Sequence, residues 1–303
     1  MPVSVVTDSS AHLAPGLAAR HGIGVVPLHV LLDGVAHLDG VDIGPDELVA
    51  TLGSGRSGRR RPTGTVTTSR CSVGELELAY TAAGDDGSDV LAVHLSRRLS
   101  GTWDSGRLAA GACAAAGRRV RLVDSGSTAM GLGFPVLAAA RAATAGAELD
   151  GAYAAAVDVA ARCRTLLCVD TLEHLRRGGR IGTAAAALGT ALSVKPLLHV
   201  VDGQIEALEK VRTSARALVR LVELAARAAG DGPTAVAVHH LGAPERAQAL
   251  VAALRERLPA ITELHVSSVG AVVGAHLGPG MVGVVVCPGG AGDPGPDGLS
   301  TPA

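Results

Sequence analysis

The stretch Asp89-Val90-Leu91-Ala92-Val93-His94-Leu95-Ser96-Arg97-Arg98-Leu99-Ser100-Gly101-Thr102 decides the fold class. Asp89–Leu95 is a short aliphatic run with β-branched residues, which reads as a buried strand. Ser96–Leu99 is a turn, and a helix of small residues follows over Ser100–Ala116. A strand delivered by a short turn into a helix is the repeating unit of a parallel α/β sheet. The carboxyl ends of such strands are where ligands bind. Ser100 fits the N-cap, Gly101 lets a ligand approach the free backbone N–H groups, and Thr102 adds a hydroxyl beside Ser96. A helix N-terminus of this kind suits a carboxylate or a phosphate; a plain serine N-cap is the competing reading.

The same alternation runs through the N-terminal half. Val3–Thr7 is a strand ending in Asp8-Ser9-Ser10, and helical spacing of Leu13, Leu17 and Ala18 runs to Arg20. Gly24–Leu32 is a second strand, stopped by Asp33-Gly34. Pro45-Asp46-Glu47 starts a helix reaching about Thr51. Gly53–Thr68 is irregular and rich in Gly, Arg, Ser and Thr, the pattern of a long functional or disordered loop. Helices are expected at 72–83, 129–145 and 149–162, with a strand at 120–123. Residues 1–163 therefore read as a mostly parallel, Rossmann-like α/β domain.

Beyond Arg162 the pattern changes. A strand at 165–169 leads to a short helix at 172–177, then Gly178-Gly179-Arg180 and a helix at 183–192. Asp202-Gly203 between strands 193–201 and 204–211 is the strongest hairpin signal of the chain. Further helices are expected at 215–229 and 244–258, and strands at 234–239, 263–267 and 282–287. Antiparallel pairing makes residues 164–288 an α+β domain with a mixed sheet. From residue 289 to 303 Gly and Pro dominate without apolar periodicity, as in a disordered tail.

Composition narrows the function. The 303 residues hold 27 basic and 28 acidic side chains, 48% apolar and 18% charged. Near neutrality disfavours a nucleic-acid surface. Phe134, Trp103, Tyr80 and Tyr153 are the only aromatics, too few for stacking platforms. Lys195 and Lys210 are the only lysines, neither in a Walker A step. No apolar run is long enough to span a membrane and no leader is evident, so the chain reads as cytoplasmic. Its five cysteines lack CxxC spacing and read as buried thiols.

Other motifs carry less. Gly278-Pro279-Gly280-Met281-Val282-Gly283 matches the dinucleotide fingerprint letter for letter, but a strand follows it where a helix is required. No G-x-S-x-G or H-E-x-x-H occurs. Adjacent His239 and His240 on a strand point to opposite faces, a poor chelate, so no metal site is expected. Arg56, Arg59, Arg60 and Arg61 form a basic cluster in the long loop, fit for an acidic partner, for transient contact with anionic lipid headgroups, or simply for solvent.

Several of these segments together resemble the DegV family. They are Val5-Val6-Thr7-Asp8-Ser9, Thr68-Ser69-Arg70, Leu99-Ser100-Gly101-Thr102 and Leu175-Arg176-Arg177-Gly178-Gly179-Arg180-Ile181. Lys195-Pro196 with Asp202-Gly203, Lys210-Val211-Arg212-Thr213 and His276-Leu277-Gly278-Pro279-Gly280 complete the order, over residues 3 to 287. The resemblance implies a two-domain α/β protein with a fatty-acid tunnel. It also implies a lipid-binding carrier rather than an enzyme, with no cofactor beyond its bound long-chain fatty acid. Its partner would be the ATP-binding subunit of a fatty acid kinase, which converts the acid to an acyl phosphate. Carried over by motif, Thr68 and Ser100 resemble the hydroxyls that bind the carboxylate. His276 and Arg180 resemble residues near the head group or the kinase-facing surface. Cys71 stands where the family has proline, and Trp103 where tyrosine is common. The alternative class is an enzyme of kinase or transferase type acting on a small anion at residues 99–102.

Overall fold

The structure is a computed structural model describing residues 1–53, 65–181 and 194–292. The Arg56–Arg61 cluster, the helix expected at 183–192 and residues 293–303 of the expected tail lie outside the described residues. In chain order the first half contains β1 (Val3–Asp8), α1 (Leu17–Arg20), β2 (Gly24–Val26), β3 (His29–Leu32), β4 (Val35–Leu38) and α2 (Pro45–Leu52). Then come β5 (Val66–Ser69), α3 (Val73–Ala83), β6 (Asp89–His94), α4 (Thr102–Ala115), β7 (Val120–Asp124), α5 (Met130–Thr144) and α6 (Leu149–Arg162). The second half has β8 (Arg164–Cys168), α7 (Glu173–Gly178), β9 (Lys195–Val201), β10 (Gln204–Val211) and α8 (Ser214–Ala229). It ends with β11 (Thr234–His240), α9 (Pro244–Arg257), β12 (Ile261–Ser268), α10 (Ala271–Leu277) and β13 (Val282–Pro288).

The first sheet is wholly parallel, in the order β2-β1-β6-β7. Asp89–His94 is its most buried strand, with every residue inside, as an unbroken apolar run demands when helices cover both faces. The second sheet, β10-β9-β8-β13-β11-β12, is mixed. Its β9–β10 hairpin is antiparallel, while β11 and β12 run parallel. Asp202 and Gly203 both have positive φ, 48° and 78°, the backbone that a two-residue hairpin turn requires. The chain is thus an α/β protein, with the parallel sheet drawn from the first half and the mixed sheet from the second.

A third, three-stranded antiparallel sheet, β4-β3-β5, departs from the sequence reading. The strand expected over 24–32 breaks at Pro27, which cannot donate to a ladder. Asp33-Gly34 does not end the pairing but turns it: both residues have positive φ, and Val35–Leu38 returns along β3. The end of the supposed long loop, Val66–Ser69, supplies the other edge.

Helix α5 joins the layers. It is buried over Met130–Ala140, because its sequence is apolar all round. Phe134, Leu137 and their neighbours share one core cluster with Val5 and Leu91 of the parallel sheet and with Ala235, Ala237 and Val285 of the mixed one. Arg141 at the same helix makes a two-pronged ion pair with buried Glu263, at 2.6 and 3.0 Å, and donates to the Ala291 carbonyl at 2.9 Å. Arg162 donates to the Gly290 carbonyl at 3.1 Å. Gly290 and Ala291 are buried, so the boundary drawn at residue 288 falls inside a packed stretch. Sequence periodicity missed it because the anchors are arginines elsewhere in the chain.

Candidate functional site

The loop between β6 and α4 is fixed from beneath by a buried carboxylate. Asp8, at the end of β1, accepts hydrogen bonds from Leu95 N (3.0 Å), His94 Nδ1 (2.9 Å), Ser10 N (3.2 Å) and Ser10 Oγ (2.5 Å). His94 Nε2 in turn lies 2.7 Å from the Tyr80 hydroxyl. In the tautomer that donates Nδ1–H to Asp8, Nε2 accepts from the Tyr80 hydroxyl. Burial pushes the Tyr80 phenol up, and neighbouring Asp8 adds to the shift. This chain holds the start of the 95–102 loop in one position.

Helix α4 begins at Thr102 with Gly101 as N-cap, one residue later than expected. Ser100 still serves the helix start: its Oγ accepts from Thr102 N at 3.3 Å and lies 3.0 Å from Thr102 Oγ1. Thr102 is fully buried, so its hydroxyl reaches a ligand only through Ser100. Ser96 is buried too; it donates to the Gly203 carbonyl at 2.7 Å and accepts from Arg98 N at 3.1 Å. It ties the β9–β10 hairpin to the parallel sheet and does not line the cavity. A serine at a turn gives no sign in sequence of a partner 107 positions away.

A cavity of about 330 Å³ opens where these elements meet β5 and α10. Thr68, Ser100, Gly101, Arg180 and His276 all line it. Its lining includes apolar Leu28, Leu95, Leu167 and Val273, and among the described residues no acidic side chain lines it. The volume lies at the low end of ordinary ligand pockets. A larger groove, about 1130 Å³, is lined by Asp8 and Asp39 among mostly apolar residues. Arg255, His12 and His240 line that groove as well.

His276 does not lie in a turn. It occupies the last turn of α10, a seven-residue helix, apolar on nearly every side, that shows no amphipathic period. Residues 278–281 form the turn between α10 and β13, with positive φ at Gly278 and Gly280, and the Gly278–Gly283 run leads into a strand, not a helix. His276 Nε2 lies 2.8 Å from Thr68 Oγ1, while its buried Nδ1 has no hydrogen-bond partner. The ring packs onto Gly178, where a Cβ would collide with it. Desolvation lowers the His276 pKa to about 4, with Arg180 and His174 adding positive charge nearby. At neutral pH the His276 ring is therefore neutral. With its proton on Nε2 it donates to Thr68 Oγ1, leaving the threonine proton free for a ligand.

Arg180 spans the junction. Its Nε donates to the Leu99 carbonyl at 3.1 Å and Nη1 to the Gly178 carbonyl at 2.5 Å. Missing from the sequence-based set is Arg70, which lines the same cavity. Its Nη1 lies 2.5 Å from the point where a Cβ would stand on Gly101. Gly101 is thus overlaid by a guanidinium rather than open to a ligand. Only the position of Arg70, next to Thr68-Ser69, pointed to it.

Four of the five cysteines are buried and Cys163 is half-buried. Among the described residues no cluster of three or more His, Cys, Asp or Glu is arranged to hold a metal ion, and no helix is long and apolar enough to cross a membrane. His239 is engaged within the core, accepting from Met130 N at 3.2 Å through Nε2.

A family model described as "Uncharacterised protein, DegV family" matches residues 2–289. The chain belongs to the DegV family. A DegV domain-containing protein of Streptomyces coelicolor is 49% identical over 285 residues, covering 94% of this chain and 98% of the relative. One from Mycobacterium tuberculosis is 44% identical over 288 residues, covering 94% and 97%. Among solved structures, a fatty-acid-binding DegV family protein from Thermus thermophilus superposes with TM-score 0.87 at 32% identity, covering 95% of this chain and all of that one. DegV of Bacillus subtilis, a fatty acid binding protein, gives TM-score 0.83 at 30% identity, with 95% and 99% covered.

Proposed function

We propose that this DegV protein is a carrier that binds a long-chain fatty acid and presents its carboxylate to a separate ATP-dependent kinase. Residues 1–163 and 164–288 would act as its two domains, in the cytoplasm. The observation that carries the reading is a mostly apolar cavity that Thr68, Ser100, His276 and Arg180 also line, with no acidic side chain among the described residues. Fatty-acid binding by DegV relatives from Thermus thermophilus and Bacillus subtilis supports it.

The physics of the head group agrees. A sixteen-carbon chain buried at ~0.8 kcal/mol per CH₂ gains roughly 10 kcal/mol before ordering costs. Head-group contacts therefore orient more than they bind. In the proposed complex Thr68, polarised by neutral His276, and Ser100, backed by Thr102, donate to the carboxylate oxygens. One of those oxygens would attack the γ-phosphorus of the kinase's ATP; the bond to the bridging oxygen breaks, and ADP leaves with its electrons. The carrier supplies positioning and no group that enters a covalent bond.

Native mass spectrometry of protein purified from cells tests the binding half: a retained fatty acid is expected. Protein free of lipid that also fails to take up added hexadecanoate would refute it. Acyl-phosphate formation with a partner kinase tests presentation separately.

A further inference from the structure

Arg70 follows β5, and both sides of it are held in place. Ser69 pairs with His29 across the antiparallel β3–β5 ladder. Cys71 is fully buried, its Sγ 3.4 Å from the Pro27 carbonyl. The side chain between them crosses to the start of α4 and lies on Gly101, with Nη1, Cδ and Cζ at 2.5, 3.0 and 3.4 Å from the glycine's vacant Cβ position. Any larger residue at 101 would displace it.

The guanidinium makes no hydrogen bond or ion pair among the described residues. Arg180 across the cavity spends two donors on backbone carbonyls; Arg70 keeps all of its own. Both arginines and the positive end of a 14-residue helix face a cavity with no acidic lining among the described residues. Arg180 is half-buried and Arg70 exposed at the cavity, and neither has an acidic partner among the described residues. An anionic ligand would complete the balance, and planar guanidinium groups match carboxylate and phosphoryl oxygens in pairs.

We propose that Arg70 is a further head-group residue that reads the charge of the ligand, favouring a carboxylate over a neutral head and a doubly charged phosphoryl head over both. The proposal rests on the lipid-carrier reading and deepens it. Thr68 and Ser100 orient the head by neutral hydrogen bonds; Arg70 supplies the charge selectivity those hydroxyls lack.

Three sixteen-carbon probes test it: hexadecanol, hexadecanoate and hexadecyl phosphate, titrated into delipidated wild type, Arg70→Gln and Arg70→Lys. Wild type should bind them in rising order of affinity. Arg70→Gln should weaken hexadecanoate about tenfold, the scale of one charge-assisted contact. It should weaken hexadecyl phosphate more and leave hexadecanol unchanged, with Arg70→Lys in between. Melting temperature should not move, because the Arg70 side chain is exposed and makes no bond among the described residues. Equal losses for all three probes, or no loss for either anion, overturns the assignment while leaving the carrier intact. Failure of wild type to bind any probe overturns both.

Discussion

Thr68 Oγ1 and His276 Nε2 stand 2.8 Å apart, although 208 positions separate them in the chain. The contact joins the small antiparallel sheet to the helix before the last strand, and with the ring proton on Nε2 it leaves the threonine proton free. Because His276 is neutral, a donor rather than a charge is what the site draws from it. His276→Gln, which can place an amide N–H near the same oxygen, should keep hexadecanoate binding within about threefold. His276→Ala and Thr68→Ala should each lose about tenfold in orientation-dependent acyl-phosphate formation, with bound lipid largely retained. Titration with lipid beside a coupled kinase assay distinguishes these. Wild-type turnover in Thr68→Ala would remove both residues from the site.

Acid should destabilise the fold through buried histidines. An unfolded histidine titrates near 6.5, while burial holds His276 near 4 and His239 near 3. Between those values the unfolded chain binds more protons, so stability rises with pH. The contribution is fully present above about 6.5 and is lost as pH falls toward 4. For His276 alone it is on the order of 3 kcal/mol at full expression. Melting curves from pH 7.5 to 4.5 should fall steadily, and His276→Gln should flatten the slope. A slope unchanged by that substitution would mean the ring is solvated.

Ser96 and Ser100 lie in the same loop and should behave differently. Ser96→Ala leaves the Gly203 carbonyl and Arg98 N–H without their partner, costing about 1–3 kcal/mol. Binding should be nearly unchanged after correction for folded fraction. Ser100→Ala should cost about 1 kcal/mol or less in stability but reduce presentation of the acid. Urea denaturation paired with lipid titration reads both; a binding defect in folded Ser96→Ala would return Ser96 to the cavity wall.

The fold was legible where one period dominates. Asp89–His94, the Asp202-Gly203 hairpin and α8 follow from apolar runs, turn chemistry and amphipathic spacing. Val35–Leu38 was not, because a four-residue strand with exposed Val35 has no buried face to alternate. Nor was α10, too short and too uniformly buried for a helical period to appear. Thr68, Ser100, Gly101, Arg180 and His276, singled out from local motifs, line one cavity. What motifs leave out is direction. Ser96 and Thr102 point away into hydrogen bonds, and Arg70 reaches the cavity only because Gly101 makes room.

Close packing around the Tyr80 hydroxyl gives a last test, of the chain that holds the 95–102 loop. A methyl at Gly106 would sit 2.7 Å from Tyr80 Oη and 3.0 Å from Leu122 Cδ2. Gly106→Ala should therefore cost about 1–3 kcal/mol by overpacking, despite the higher helix propensity of alanine. Tyr80→Phe removes the hydroxyl that His94 Nε2 uses and should cost about 1–2 kcal/mol. The two changes are not independent, because phenylalanine vacates the space the new methyl needs. In the double variant the Gly106→Ala penalty should shrink by at least about 0.5 kcal/mol, a coupling well within what contacting residues show. Chemical denaturation of the four proteins in the cycle measures it. Strict additivity would mean that the methyl strains Leu122 alone, and that the Tyr80–His94 bond survives the substitution.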